Sequence, residues 1–113
     1  MKARASVAAR AANGGPPERI VTLRIGDRPF TISLHGEGKC AVILGPGAGG
    51  TRRTPQLLGV AAFLDPKRYT TLLFNFPYQE AGRKFPDQAP VLEETVTRVA
   101  DYARAELGAT KVV

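Results

Sequence analysis

The chain has 113 residues, 43% hydrophobic and 23% charged, the balance of an ordinary globular protein with room for one modest core. Its longest apolar runs, Cys40 to Leu44 and Leu57 to Leu64, fall well short of the roughly 20 residues that cross a bilayer, so no spanning helix and no membrane partner is expected. The net charge of +6 does not argue for nucleic acid either, because Lys2, Arg4 and Arg10 stand in an acid-free start and the remainder is only mildly basic.

Residues 1–19, rich in Ala, Arg, Gly and Pro, read as a disordered basic arm ahead of a single domain over 20–113. An alanine- and arginine-rich bacterial extension fits this start better than an organelle transit peptide. The lone Cys40 excludes an internal disulfide and favours a reducing, cytoplasmic setting. Its place in the run CAVIL marks it as core and not as a reactive thiol.

Ile20–Ile25 and Pro29–Leu34 alternate apolar and polar residues around Gly26-Asp27-Arg28, which predicts a β-hairpin. Cys40–Leu44 is continuously apolar, as in a strand covered on both faces. It runs into Gly45-Pro46-Gly47-Ala48-Gly49-Gly50, where four glycines in six residues allow close approach of the backbone to a ligand. Thr54 or Thr51 then caps a helix to about Leu64, with Pro55 in its first turn and Leu57, Leu58, Ala61, Ala62 and Leu64 as an apolar stripe. Asp65-Pro66 stops it.

Tyr69–Phe74 predicts a second buried strand, ended by the proline of Asn75-Phe76-Pro77-Tyr78. After an irregular stretch through Phe85, Asp87 caps a long helix whose buried face is Leu92, Val96, Val99, Ala103 and Leu107, with Glu94 and Arg98 paired on the other side. Gly108 ends that helix, and Thr110–Val113 begins a further strand at which the chain stops, predicting an incomplete sheet with an open edge.

The segments GPGAGGTRRTPQLLGVAAFL and TTLLFNFPYQEAGRKFPDQAPVLEETV resemble the small dienelactone-hydrolase-like branch of the α/β-hydrolases, which includes the hydrolase-like domain of the NSL-complex regulatory subunit and many bacterial proteins. The resemblance covers about Val42 to Val99, and its specific part is FNFPY with the later Pro86-Asp87. It implies an α/β fold, here an incomplete α/β-hydrolase-type sheet in which the hairpin is followed by parallel strands alternating with helices. It also implies a serine-type hydrolase acting on a small ester, lactone or related acyl substrate, without metal or cofactor. Gly47, Ala48 and Gly49 would then offer backbone N–H groups to an oxyanion, and Phe76, Tyr78 and Arg83 would line the pocket.

Two departures limit the transfer of activity. Pro46 stands where the family commonly has histidine, and the Gly-x-Ser-x-Gly elbow, acid and histidine have no counterparts. The serines are Ser6 and Ser33, neither flanked by elbow glycines, and the one histidine, His35, precedes the glycine loop and receives no role. This chain is therefore expected to be inactive alone, the N-terminal fragment of such an enzyme. The alternative is a non-catalytic module that associates with another copy or another chain through its open sheet edge.

Gly45, Gly47 and Gly50 also match a dinucleotide fingerprint, but a hairpin precedes them and no acid closes the following strand. A phosphate loop lacks its lysine, because Thr51-Arg52 follows Gly50. Arg52, Arg53, Arg83 and Lys84 fall at the C-terminal ends of the parallel strands, where they either favour an anionic substrate or are solvated loop charges. Phe76 and Tyr78 either line a pocket or pack beneath the next loop.

Overall fold

A computed structural model describes residues 6–11, 17–47 and 50–113, with side chains from Glu18 onward. Its elements are β1 (Ser6–Ala11), β2 (Pro17–Ile25), β3 (Arg28–Gly36), β4 (Cys40–Leu44), α1 (Pro55–Phe63), β5 (Tyr69–Phe74), α2 (Pro77–Glu80), α3 (Ala89–Glu106) and β6 (Lys111–Val112). The strands form one mixed sheet in the order β1-β2-β3-β5-β4-β6. β1, β2 and β3 are joined antiparallel, β3 runs antiparallel to β5, and β5, β4 and β6 are parallel. The protein is thus of α/β class, with an antiparallel flank on a parallel core.

The hairpin forms where alternation placed it. Ile25 pairs with Arg28, leaving a two-residue turn in which Gly26 takes φ 62°, a value open to glycine at little steric cost. The expectation of a disordered arm over 1–19 is corrected where residues are described: residues 6–11 are β1, paired with 17–22, and β2 begins at Pro17. Proline is tolerated there as the first residue of a strand. Pairing from β2 supplies the hydrogen bonds that composition alone did not suggest.

Strand register sorts the side chains onto two faces. Val21, Ile32, Leu34, Leu72, Phe74 and Ala41 lie on one face and meet Val99 and Ala103 of α3, forming the core. The opposite face carries Glu18, Ser33, His35 and Thr71, a polar cluster beside the buried Leu73.

Both long helices differ from their expected faces. In α1 no residue is buried, and Phe63 is 87% exposed; Leu57, Leu58, Ala61 and Leu64 are half-buried and Ala62 is exposed. The run PQLLGVAAF carries no charge, so it is apolar all round and has no stripe to orient. In α3 the buried residues are Thr95, Val99 and Ala103, while Val96 is exposed. Thr95 can turn inward because its hydroxyl donates to the Val91 carbonyl at 2.7 Å, leaving no unpaired polar atom. The Glu94–Arg98 pair is present at 3.4 Å.

Asp87 does not cap α3. The N-cap is Gln88, without a side-chain cap bond; Asp87 instead accepts the Tyr78 N–H at 2.9 Å and faces Arg28 at 2.8 Å. Its carboxylate ties the entry of α3 back to α2 and to the hairpin. Among the described residues, no helix is long and apolar enough to cross a membrane.

Candidate functional site

The parallel strand β4 delivers the chain into the glycine loop at the point where strand order reverses. From β4 the chain passes through α1 to β5 on one side, and from β5 through α3 to β6 on the other. Loops leaving neighbouring strands in opposite directions open a crevice at their C-terminal ends, the usual ligand position in open α/β sheets.

Gly45 lies against the tip of the Phe74 ring, and a Cβ there would come to 3.0 Å from its Cζ. Gly47 is different, since a Cβ on it would meet nothing within 4 Å. The loop then tightens: the Gly50 N–H donates to the Gly47 carbonyl at 3.0 Å, and the Thr51 N–H donates to Thr54 Oγ1 at 3.0 Å. Thr54 is the N-cap of α1, but its hydroxyl serves Thr51 and not the first turn of the helix. Ala48 and Gly49, the other two oxyanion candidates, lie outside the described residues.

Gln79 in α2 holds this loop. Its Nε2 donates to the carbonyls of Gly50 at 2.8 Å and Gly47 at 3.3 Å, while its Oε1 accepts the Phe76 N–H at 2.9 Å. One amide side chain therefore fixes both ends of the glycine turn and the start of α2. Asn75, buried at the end of β5, makes the second tie: its Oδ1 accepts the Arg52 N–H at 2.7 Å and its Nδ2 donates to Glu80 at 3.3 Å. Glu80 also accepts the Thr31 N–H at 2.9 Å. The polar residues of Asn75-Phe76-Pro77-Tyr78-Gln79-Glu80 thus stitch the loop to the sheet. The sequence signal for Gln79 was available as a glutamine three residues after a helix-entry position, the second half of a capping box.

The expected pocket residues lie side by side, but they pack on one another instead of lining a cavity. Phe76 packs edge-on against Phe74 with ring centres 5.0 Å apart and stacks on Tyr78 at 6.3 Å, and Tyr78 is buried. Arg83 is exposed, its backbone N–H donating to the Tyr78 carbonyl at 2.9 Å. A shallow cavity of about 210 Å³ lies nearby, lined by Asp27, Arg28, Pro29, Pro77, Glu80 and Ala81, none of them an expected site residue.

The loop arginines are anchored. Arg52 Nε donates to Ser33 Oγ at 2.8 Å, so the buried Ser33 is a docking point for the loop. Arg53 Nη1 donates to the buried Glu18 at 3.2 Å, and His35 Nε2 lies 3.4 Å from the same oxygen. His35 is therefore half-buried among charges and not a free turn residue. The His35 contact lacks hydrogen-bond geometry, leaving Nε2 buried and unpaired, so it is read as an electrostatic approach only. Glu18 escaped sequence reasoning because it was placed in the arm.

Burial holds the His35 imidazole below its ordinary pKa, the Glu18 carboxylate opposes that shift and Arg53 adds to it. The folded protein then binds fewer protons at this site than the unfolded chain, so the contribution of His35 is fully present above about pH 6.5 and is lost as pH falls through the folded value. Thermal melts are expected to show a smaller acid-side fall in Tm for His35→Gln than for the wild type between neutral pH and about pH 5. Equal slopes would remove His35 from the account.

Among the described residues no group of three His, Cys, Asp or Glu side chains is placed to hold a metal ion. Comparison with models of known families, with curated proteins and with solved structures finds no match to this chain.

Proposed function

We propose that this chain carries the oxyanion-loop portion of a serine-type α/β-hydrolase for a small ester, lactone or related acyl substrate, and that the chain alone is inactive. The observation that carries the reading is the glycine turn leaving β4 where strand order reverses, clamped by Gln79 and backed by Phe74. Backbone donors held about 3 Å from a developing oxyanion stabilise an acyl-transfer transition state by roughly 3 to 4 kcal/mol each. The strand order and the FNFPY segment both support this assignment. The chain's own serines and histidine do not supply a nucleophile and base: Ser33 is buried on Arg52, and His35 faces Glu18 and Arg53.

Two measurements test it. A short alkyl phosphonate, a tetrahedral anion resembling the intermediate, should shift amide resonances confined to Gly45–Thr51. Scattered shifts at arginines, or none, would sink the assignment. Incubation with a serine-reactive fluorophosphonate and an activated acetate ester should give neither labelling nor turnover; either one would show that the chain has its own nucleophile.

A second reading is a non-catalytic module that binds another chain through β6, one of the two outer strands of the sheet, after which Val113 is 66% exposed. The uncharged and unburied α1 favours it too. A concentration-independent monomer in light scattering would count against that module.

A further inference from the structure

We propose that the tip Gly82–Pro86 is a peripheral anchor for an anionic lipid surface, an inference independent of the acyl-transfer reading. All five residues of this Gly-Arg-Lys-Phe-Pro segment are exposed, and Phe85 has 82% of its surface in water. Arg83 and Lys84 stand immediately before it, and among the described residues neither forms an ion pair.

The neighbouring acids are turned elsewhere. Asp87 is buried between Arg28 and the Tyr78 N–H, and Glu80 accepts from Thr31 and Asn75. The tip therefore presents two uncompensated cations beside an exposed aromatic ring. It stands on a fixed base, because the Gly82 N–H donates to the Gln79 carbonyl at 3.1 Å and the Arg83 N–H to the Tyr78 carbonyl at 2.9 Å. Gly82, with φ 73°, makes the turn that throws the segment outward.

This chemistry fits the headgroup region of an anionic bilayer, with Phe85 entering the acyl boundary and both cations meeting phosphate and carboxylate groups. Each cation strengthens partitioning about fivefold, and burial of one phenylalanine adds on the order of 10- to 100-fold. The result is weak, reversible docking. Single-stranded nucleic acid is a poorer fit, because it needs a groove of several aromatic rings and cations along the backbone and this tip offers one ring at one point. The expectation of no membrane partner rested on the length of apolar runs, which bears on spanning helices and not on a loop that touches the surface.

The chain contains no tryptophan, so Phe85→Trp places a single reporter at an exposed position. Its emission should shift to the blue with vesicles of phosphatidylcholine and phosphatidylserine, and remain unchanged with phosphatidylcholine alone. In sedimentation with the mixed vesicles, Phe85→Ser should lower the bound fraction on the order of tenfold, and the double variant Arg83→Glu, Lys84→Glu should abolish the dependence on phosphatidylserine. An unshifted emission overturns the proposal, as does wild-type binding by both variants, which would assign attraction to charge elsewhere. A blue shift produced by a single-stranded oligonucleotide but not by vesicles would replace the lipid with nucleic acid.

Discussion

Replacing Gly38 by alanine should lower the unfolding free energy by about 3 kcal/mol or more, or prevent folding, although the change adds one methyl group far from the glycine loop. A Cβ on Gly38 would fall onto the peptide joining Arg68 and Tyr69, backbone that cannot swing aside. The approach is fixed from several directions. Thr70 Oγ1 donates to the Gly38 carbonyl at 2.7 Å, and the Glu37 N–H donates to the Pro66 carbonyl at 2.7 Å. The Cys40 N–H reaches the Arg68 carbonyl at 3.4 Å. These bonds set the base of β4 beside β5, so separating them disturbs the register of the parallel pair. Gly47→Ala is the control, since its Cβ would meet nothing within 4 Å and should change stability by no more than about 0.5 kcal/mol. Urea midpoints for the two variants decide the matter, and equal midpoints would mean that the base of β4 yields without strain.

Phe74→Ala should destabilise by about 3 to 5 kcal/mol, the range for emptying a buried phenylalanine site. Phe74 is 1% exposed at the end of β5, opposite Ile32 on the neighbouring strand. It belongs to the core that α3 covers, and its ring also supports Phe76 and the Gly45 backbone. Its loss should therefore loosen the glycine loop as well as the core. Hydrogen exchange provides the separation: the hydrogen-bonded amides of Gly50 and Thr51 should lose more protection in Phe74→Ala than in a core variant of matched stability such as Val99→Ala. Val99 is a buried residue of α3 itself and does not back Gly45, and equal losses would mean that the loop does not depend on the Phe74 ring.

Much of the fold was legible in local pattern. The hairpin and the long helix declared themselves through period and end signals, because a strand or helix that buries one face must repeat its apolar residues at the period of its backbone, and Cys40–Leu44 and Tyr69–Phe74 did so as short apolar runs bounded by turn residues. The glycine loop could be read for the same local reason. Its clamp could not, since Gln79 lies 29 residues after Gly50 and only the tertiary placement of α2 beside the loop that follows β4 brings the amide to those carbonyls.

Composition misjudged two segments by treating partners as absent. Glu18 sits in a stretch whose residues suit a solvated arm, yet Arg53, 35 positions away, gives its carboxylate a bond within the fold. Asp87 has the sequence position of a helix cap, but the Tyr78 N–H and Arg28 compete for it and win by proximity. The sequence by itself determined which segments become strands and helices and where the chain can turn. Which polar side chain satisfies which distant group was decided only by tertiary structure, because a hydrogen bond depends on positions that strand order sets and that spacing along the chain does not encode.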